Sequence, residues 1–267
     1  MLPQGVTDVA KSKRARIISG DVFGKHHVTD QIADIRRLLP PLSPSQVGTV
    51  RCLGLNYADH AKETKMESPR FPILFYKPPT ALSGPVDAIP IHPMAQEGTG
   101  LDHECELVVV IGKRCTDVPE SGALDCVLGY AVGNDVSHRD WQIKHGGSQW
   151  SHGKGFDGWA PYGPGIVSGK TIRDPQILKI WTKVNGNMVQ NGTTANMVFS
   201  VKKIISLLSR GVTLMPGDII FTGTPAGVGM GRTPPVWLED RDVVEVGLEG
   251  VGTCTNKVEF AKPKSKV

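Results

Sequence analysis

Cysteines and long apolar runs are scarce in this chain. Its 267 residues include five cysteines, an odd number, and no two of them form a C-x-x-C pair. This spacing argues against a disulfide framework and against a cysteine zinc site, so we expect reduced thiols and a cytoplasmic location. No stretch approaches the roughly 20 apolar residues that a transmembrane helix requires, and we expect no membrane partner.

A strong charge imbalance is also absent. The chain has 30 basic and 26 acidic residues, which leaves a formal net charge of +4. Basic residues cluster only at 11–16 and 262–266. Solvated termini explain such clusters more simply than a nucleic-acid interface does, so we expect no nucleic-acid partner.

The chain is long enough for one large domain with a small appendage. Residues 1–48 are predicted to form a small N-terminal domain, followed by a main domain at 49–262 and a tail at 263–267. In the small domain we predict a strand at 16–18. A helix is predicted at 30–39, because its apolar residues recur at helical spacing.

The main domain is predicted to be β-dominated, within an α+β fold class. The chain contains 31 glycines and 20 prolines, and short apolar runs separated by such residues are typical of strands and turns. Residues 178–184 and 187–190 flank Asn185-Gly186, which indicates a hairpin. Two further strands are predicted at 242–246 and 252–260, and one helix at 198–209, where apolar residues line one face.

Two glutamates lie one residue apart at the start of a strongly apolar run. Glu104 and Glu106 lead into residues 107–111, and Asp135 follows a second apolar stretch at 127–132. Side chains two apart on a strand face the same side, so the glutamates should point at one spot. A solvated strand edge is the simpler interpretation; three converging carboxylates would instead form a site for Mg²⁺, Mn²⁺ or Ca²⁺.

Other residues near these carboxylates suggest acid–base and anion-binding chemistry. His60 and Glu63 would share a face of a short helix at 57–65, where the carboxylate could orient the imidazole as a general base. Arg139 and Gln142 would share a face of a helical turn, and the arginine could grip a carboxylate. A surface ion pair and a solvated turn are the respective alternatives.

Two glycine-rich segments add candidate groups. Lys154 lies between Gly153 and Gly155, where it is either an exposed loop residue or an electrostatic stabiliser. The segment 222–229 follows a predicted strand and could present backbone N–H groups and a hydroxyl to an anion. It does not match the nucleotide P-loop pattern.

Taken together and in this order, these motifs closely resemble the fumarylacetoacetate hydrolase family. The matching segments span residues 54–225 and are Gly54 to Glu63, Phe75-Tyr76-Lys77-Pro78, His103-Glu104-Cys105-Glu106-Leu107, Gly133 to Asp140, Lys154-Gly155-Phe156-Asp157 and Thr222-Gly223-Thr224-Pro225.

The resemblance implies a fold, a cofactor and a set of site residues. The fold would be a mixed β-sandwich roll that dimerises through the catalytic domain. Mg²⁺ or Mn²⁺ would be held by three carboxylates, and a histidine–glutamate dyad on a lid helix would order when substrate binds. The implied metal ligands are Glu104, Glu106 and Asp135; the implied catalytic residues are His60, Glu63 and Lys154; the implied substrate-binding residues are Lys77, Arg139, Gln142, Gly223 and Thr224.

One departure from the family pattern narrows the implied function. Larger members have an additional acidic ligand a few residues before the lid histidine, and residues 50–55 contain none. This points to the smaller branch, whose members act on acylpyruvates through a metal-bound enolate. The alternatives are oxaloacetate decarboxylation, isomerisation or dehydration of a related 2-oxo acid, and a non-catalytic metal-binding module, which would not need the His60–Glu63 pair.

Overall fold

The computed structural model describes residues 9–262, and within that range it contains sixteen β-strands and two α-helices. The strands are β1 (Arg14–Gly20), β2 (His26–Asp34), β3 (Val50–Gly54), β4 (Ile73–Lys77), β5 (Leu82–Ser83), β6 (Ile89–Ile91), β7 (Leu101–Asp102), β8 (Cys105–Ile111), β9 (Val127–Asn134), β10 (Ser137–His138), β11 (Ala160–Ser168), β12 (Lys179–Val184), β13 (Asn187–Thr193), β14 (Ile219–Phe221), β15 (Val243–Leu248) and β16 (Gly252–Phe260). The helices are α1 (Ala58–Glu63) and α2 (Val201–Leu208). The predicted tail at 263–267 lies outside the described residues.

Two sheets face each other across the main core. One has seven strands in the order β4-β3-β14-β8-β9-β11-β5, and the other has five in the order β13-β12-β15-β16-β6. Both are mixed, because β14 pairs parallel with β3 and β16 parallel with β6 while most other neighbours are antiparallel. The predicted β-dominated, mixed sandwich fold is therefore confirmed.

Strand β8 is apolar from Leu107 to Ile111 because both of its faces are covered. Leu107 and Val109 belong to the core between the sheets, whereas Val108 and Val110 belong to a second core on the opposite face. Continuous apolar runs are typical of strands buried on both sides. The reactive side chains of this segment are therefore the polar ones at the N-terminal end of β8, Glu104 and Glu106.

The predicted hairpin, terminal strands and helix are confirmed, with small shifts at their ends. Asn185 and Gly186 both have positive φ angles, 51° and 80°, as a type I′ turn requires. Helix α2 begins after Ser200, whose side chain accepts a hydrogen bond from the Lys203 N–H and caps the helix. No helix among residues 9–262 is long and apolar enough to cross a membrane.

The predicted helix at 30–39 is wrong. Strand β2 runs through Asp34 and pairs antiparallel with β1, with Arg16 opposite Ile32. The apolar residues with helical spacing do not form a buried face, since Ile32 is 54% exposed and Leu39 is 66% exposed. Without a surface to pack against, the spacing carries little stabilisation, and pairing with β1 decides the conformation.

Candidate active site

Three carboxylates converge at one end of the seven-stranded sheet. Glu104 lies immediately before β8 and Glu106 is its second residue, while Asp135 follows β9, the neighbouring antiparallel strand. All three are buried, and one carboxylate oxygen from each lies within 4.8 Å of the others. The antiparallel pairing produces this cluster, because it places the end of β9 beside the start of β8.

Two of the three carboxylates have cationic partners. The Lys154 ammonium lies 2.8 Å from Glu104 Oε2 and 2.8 Å from Asp135 Oδ2, and Lys77 Nζ lies 2.8 Å from Asp135 Oδ1. Burial raises the pKa of the Glu104 carboxyl, but Lys154 and Arg139 outweigh it and hold that pKa below its usual range. Glu104 is therefore an anion.

Glu106 has a different environment. Its Oε2 accepts a hydrogen bond of 2.7 Å from the Gly223 N–H. Burial, reinforced by the charges of Asp135 and Glu104, raises the pKa of Glu106 well above its usual value. Such a group takes up a proton unless a cation is placed beside it.

The cluster fits a hard divalent cation. Its donors are carboxylate oxygens alone, which Mg²⁺, Mn²⁺ and Ca²⁺ prefer. A bound cation would also supply the positive charge that Glu106 needs in order to ionise. The residues that would hold it are Glu104, Glu106 and Asp135.

Helix α1 carries a histidine–carboxylate pair. His60 Nδ1 lies 3.2 Å from Glu63 Oε2, and Glu63 Oε1 accepts a hydrogen bond of 2.9 Å from the Gly227 N–H. His60 is only 5% exposed, and it lines a cavity that also contains Glu104. Glu63 therefore connects the helix to the 225–231 loop and orients the imidazole.

A glycine at 231 is needed for this docking. A Cβ atom at Gly231 would lie 2.2 Å from Glu63 Cδ, so Gly231→Ala should displace Glu63 from the loop. The charge-assisted hydrogen bond from the Gly227 N–H to Glu63 should stabilise the docked helix by about 1.5–3 kcal/mol. Its loss should therefore make hydrogen exchange in residues 58–63 about 10–100-fold faster. Gly122→Ala is the control, because its Cβ would meet Val118 at an ordinary 3.8 Å. Unchanged exchange in Gly231→Ala would contradict this role of Glu63.

Arg139 is held by a buried acid to which the sequence analysis assigned no role. Asp102 Oδ2 accepts hydrogen bonds from Arg139 Nε at 2.9 Å and Nη2 at 2.7 Å. Arg139 Nη1 donates to Gln142 at 2.9 Å and lies 2.7 Å from Glu104. Asp102 also accepts from the Gly229 N–H. In the sequence, the only indication of a role for Asp102 is its position directly before His103-Glu104. The sequence does not show that Arg139 folds back onto Asp102.

The remaining predicted substrate-binding residues lie at different depths. Lys77 does not line the cavity; its ammonium donates to the carbonyls of Val136 and Trp159 behind Asp135. Gly223 contributes its N–H to Glu106. Thr224 lines the cavity, and its hydroxyl donates to the Cys105 carbonyl at 2.9 Å. Substrate contact by these residues stays a prediction, and for Lys77 the geometry favours positioning of Asp135.

The cavity has a volume of about 170 Å³ and two chemically different parts. The buried polar residues that line it, called its inner end here, are His60, Glu104, Arg139, Gln142, Lys154 and Thr224, while the polar Thr64 and Ser148 lie nearer to solvent. The rest of the lining is largely apolar and includes Leu53, Leu55, Met66, Phe75, Ile143, Trp150 and Met230. Such a mixture suits a small organic acid whose polar head lies beside Arg139 and Lys154 and whose apolar part contacts the rest of the lining.

Comparison with known proteins identifies close relatives. The family model described as fumarylacetoacetate (FAA) hydrolase C-terminal matches residues 49–259. A Dictyostelium discoideum fumarylacetoacetate hydrolase domain-containing protein 2 homolog is 48% identical, over 81% of this chain and 73% of the relative.

Two solved structures have the same fold. A fumarylacetoacetate hydrolase from Exiguobacterium antarcticum superposes with a TM-score of 0.80 at 40% identity, over 90% of this chain and 85% of the other. A 2-hydroxyhepta-2,4-diene-1,7-dioate isomerase from Mycobacterium marinum superposes with a TM-score of 0.78 at 39% identity, over 94% and 89% of the two chains.

Proposed function

Because the chain belongs to the fumarylacetoacetate hydrolase family, we propose that it is a divalent-metal-dependent enzyme that hydrolyses a C–C bond in an acylpyruvate, a 2,4-dioxo acid. The observation that carries this proposal is that the buried His60, paired with Glu63 at 3.2 Å, lines the same cavity as the carboxylate Glu104. A metal site alone would not need an oriented imidazole, whereas activation of water does.

Glu104, Glu106 and Asp135 would hold the cation, with Mg²⁺ or Mn²⁺ as first candidates and Ca²⁺ as a third. When bound, it supplies Lewis-acid polarisation of the substrate's oxygens. Lys154 adds fixed positive charge at the same place. Burial lowers the pKa of Lys154, but Asp135 and Glu104 outweigh it and raise the pKa above its ordinary value, so the side chain is an ammonium.

In this proposal His60 handles the proton of the attacking water. Glu63 accepts a hydrogen bond from Nδ1, which leaves Nε2 to take the proton as water adds to C4 of the substrate. The C3–C4 bond then breaks, and C4 becomes the carboxyl carbon of the released acid. The electron pair remains on C3 as pyruvate enolate, which takes up a proton to give pyruvate.

The polar inner end of the cavity would orient the substrate. Arg139 and Gln142 would bind its carboxylate, and the Thr224 hydroxyl, which donates to the Cys105 carbonyl, would turn from that carbonyl to contact an oxyanion. Asp102 fixes the Arg139 guanidinium through Nε and Nη2, so that Nη1 remains directed at Gln142 and Glu104. A preorganised guanidinium needs little rearrangement when the acid binds.

A second candidate is isomerisation of a related 2-oxo acid. The Mycobacterium marinum structure that this chain resembles is named as an isomerase. Isomerisation of a double bond moves a proton between carbons and needs no attacking water. The two reactions therefore differ in their demand for His60 as a general base.

The test is an assay of purified protein with acetylpyruvate and Mg²⁺, Mn²⁺ or Ca²⁺. We expect equimolar pyruvate and acetate, loss of turnover in excess EDTA and recovery when the metal is restored. Full turnover in EDTA, with no metal found by elemental analysis, would refute metal dependence. Isomerisation of a dienedioate without any acylpyruvate cleavage would favour the second candidate.

A homodimer and a cytoplasmic location are further parts of the proposal. Cys52, Cys105, Cys115 and Cys126 are free thiols in buried positions, as a reducing compartment favours. Sedimentation of the purified protein would test the dimer.

A further inference from the structure

The mouth of the cavity is lined by apolar side chains that are partly open to water. Met66 follows helix α1 and is 45% exposed. Ile143 lies in the π-helical turn Trp141–His145 and is 46% exposed. Trp150 lines the same cavity, and its ring centroid lies 5.7 Å from that of Phe75. Exposed apolar side chains that are grouped at a concave surface mark a ligand-binding site more often than apolar side chains that are exposed singly.

Charge in the cavity is confined to its inner end. Among the residues that line it, the charged or titratable ones are His60, Glu104, Arg139 and Lys154. Both cations are bonded to Glu104, and Arg139 is the group proposed above to bind the first carboxylate of the substrate. A second carboxylate, on the far end of a substrate, would therefore meet the apolar mouth without a cationic partner among the lining residues. Such a carboxylate would lose part of its hydration against these side chains without gaining an ion pair in return, which disfavours its binding.

We infer that the substrate is a monocarboxylic acylpyruvate with an apolar acyl tail of several carbons, alkyl or aryl, and that Met66, Ile143 and Trp150 select for that tail. This inference rests on the proposed function for the reaction at the inner end. The cavity volume of about 170 Å³ is consistent with it, since an apolar protein cavity of about 150 Å³ is large enough for benzene.

The acyl tail should change the rate in a graded way. Burial of each methylene is worth about 0.8 kcal/mol, or about fourfold in kcat/KM. Butanoylpyruvate should therefore exceed acetylpyruvate by about 15-fold. Succinylpyruvate, which has a carboxylate in place of the terminal methyl of butanoylpyruvate, should be poorer than butanoylpyruvate by about 100-fold.

A charge-adding variant sharpens the test. Ile143→Lys places a cation at the mouth and should lower the butanoylpyruvate-to-succinylpyruvate preference by about 10-fold or more. Ile177→Lys is the matched control, because Ile177 is 67% exposed and does not line the cavity. The control should keep the wild-type rates and preference. Equal preference in wild type and Ile143→Lys would overturn the role of Ile143.

A binding measurement separates this inference from the proposed reaction. Calorimetry with Mg²⁺ present should show tighter binding of 2-oxohexanoate than of 2-oxoadipate, which differ only at the terminal carbon. If no acylpyruvate is cleaved but 2-oxohexanoate binds more tightly, the hydrolase proposal fails and the apolar-tail site stands. If 2-oxoadipate binds as tightly or more tightly, or succinylpyruvate is the better substrate, the apolar-tail inference is overturned whatever the reaction is.

Discussion

Replacing His60 by alanine is expected to lower acylpyruvate hydrolysis by about 10²–10⁴-fold, the contribution that general-base catalysis typically makes. His60 is buried beside Glu63 and faces the cavity, so its loss removes the group that would take the proton from water. The measurement is kcat/KM for acylpyruvate at saturating Mg²⁺. His27→Ala is the control, since His27 is exposed on the N-terminal hairpin.

The same variant distinguishes hydrolysis from decarboxylation. Loss of CO₂ from oxaloacetate needs an electron sink and a correctly oriented carboxylate, but no attacking water. We therefore expect His60→Ala to lose much less oxaloacetate decarboxylation than hydrolysis when metal saturation is matched. Equal losses in both reactions would mean that His60 has no water-specific role, and decarboxylation would then be the better assignment.

The Glu106→Gln variant should bind a divalent cation at least about 100-fold more weakly, because it loses one of three anionic ligands. Both hydrolysis and decarboxylation should fall with it at limiting metal. The fold should survive, since glutamine has a similar volume and its carbonyl oxygen can still accept the Gly223 N–H. Calorimetric titration with Mn²⁺ and thermal unfolding of the metal-free protein would measure the two effects. Glu239→Gln, at an exposed position, is the control.

Metal binding to the wild type should also release a proton. Burial, Asp135 and Glu104 raise the pKa of Glu106 in the metal-free protein, so the carboxyl is protonated below that raised pKa. A cation must displace this proton, and its affinity should therefore increase as the pH rises towards the pKa. Titrations in two buffers with different ionisation enthalpies count the protons. The same count in wild type and Glu106→Gln would contradict this assignment.

Several features of this protein follow from local sequence. The hairpin at Asn185-Gly186 was predictable because only a few residues tolerate the positive φ angles of its turn. Helix α2 was predictable from an apolar face next to a polar one. The convergence of Glu104 with Glu106 was predictable from the period of a strand, which places residues two apart on one side.

Other features depended on contacts between distant segments. The spacing at 30–39 suggested a helix, but strand pairing with β1 prevailed, as Arg16 opposite Ile32 shows. Asp102 and Arg139 are 37 residues apart in sequence, and no local pattern indicates that one holds the other. Lys77 matched a family motif, yet its depth behind Asp135 became visible only in the folded chain.

The sequence by itself determined the family, the β-dominated architecture and the identities of the three carboxylates, because strand periodicity, turn chemistry and motif order are local properties. Tertiary structure alone decided which acids carry cationic partners, and hence why the pKa of Glu106 is raised while that of Glu104 is lowered. It also decided that the charged residues that line the cavity are all buried, whereas its most exposed large side chains, Met66 and Ile143, are apolar. Charge and burial depend on distances in space, and those distances arise only when remote strands and loops pack together.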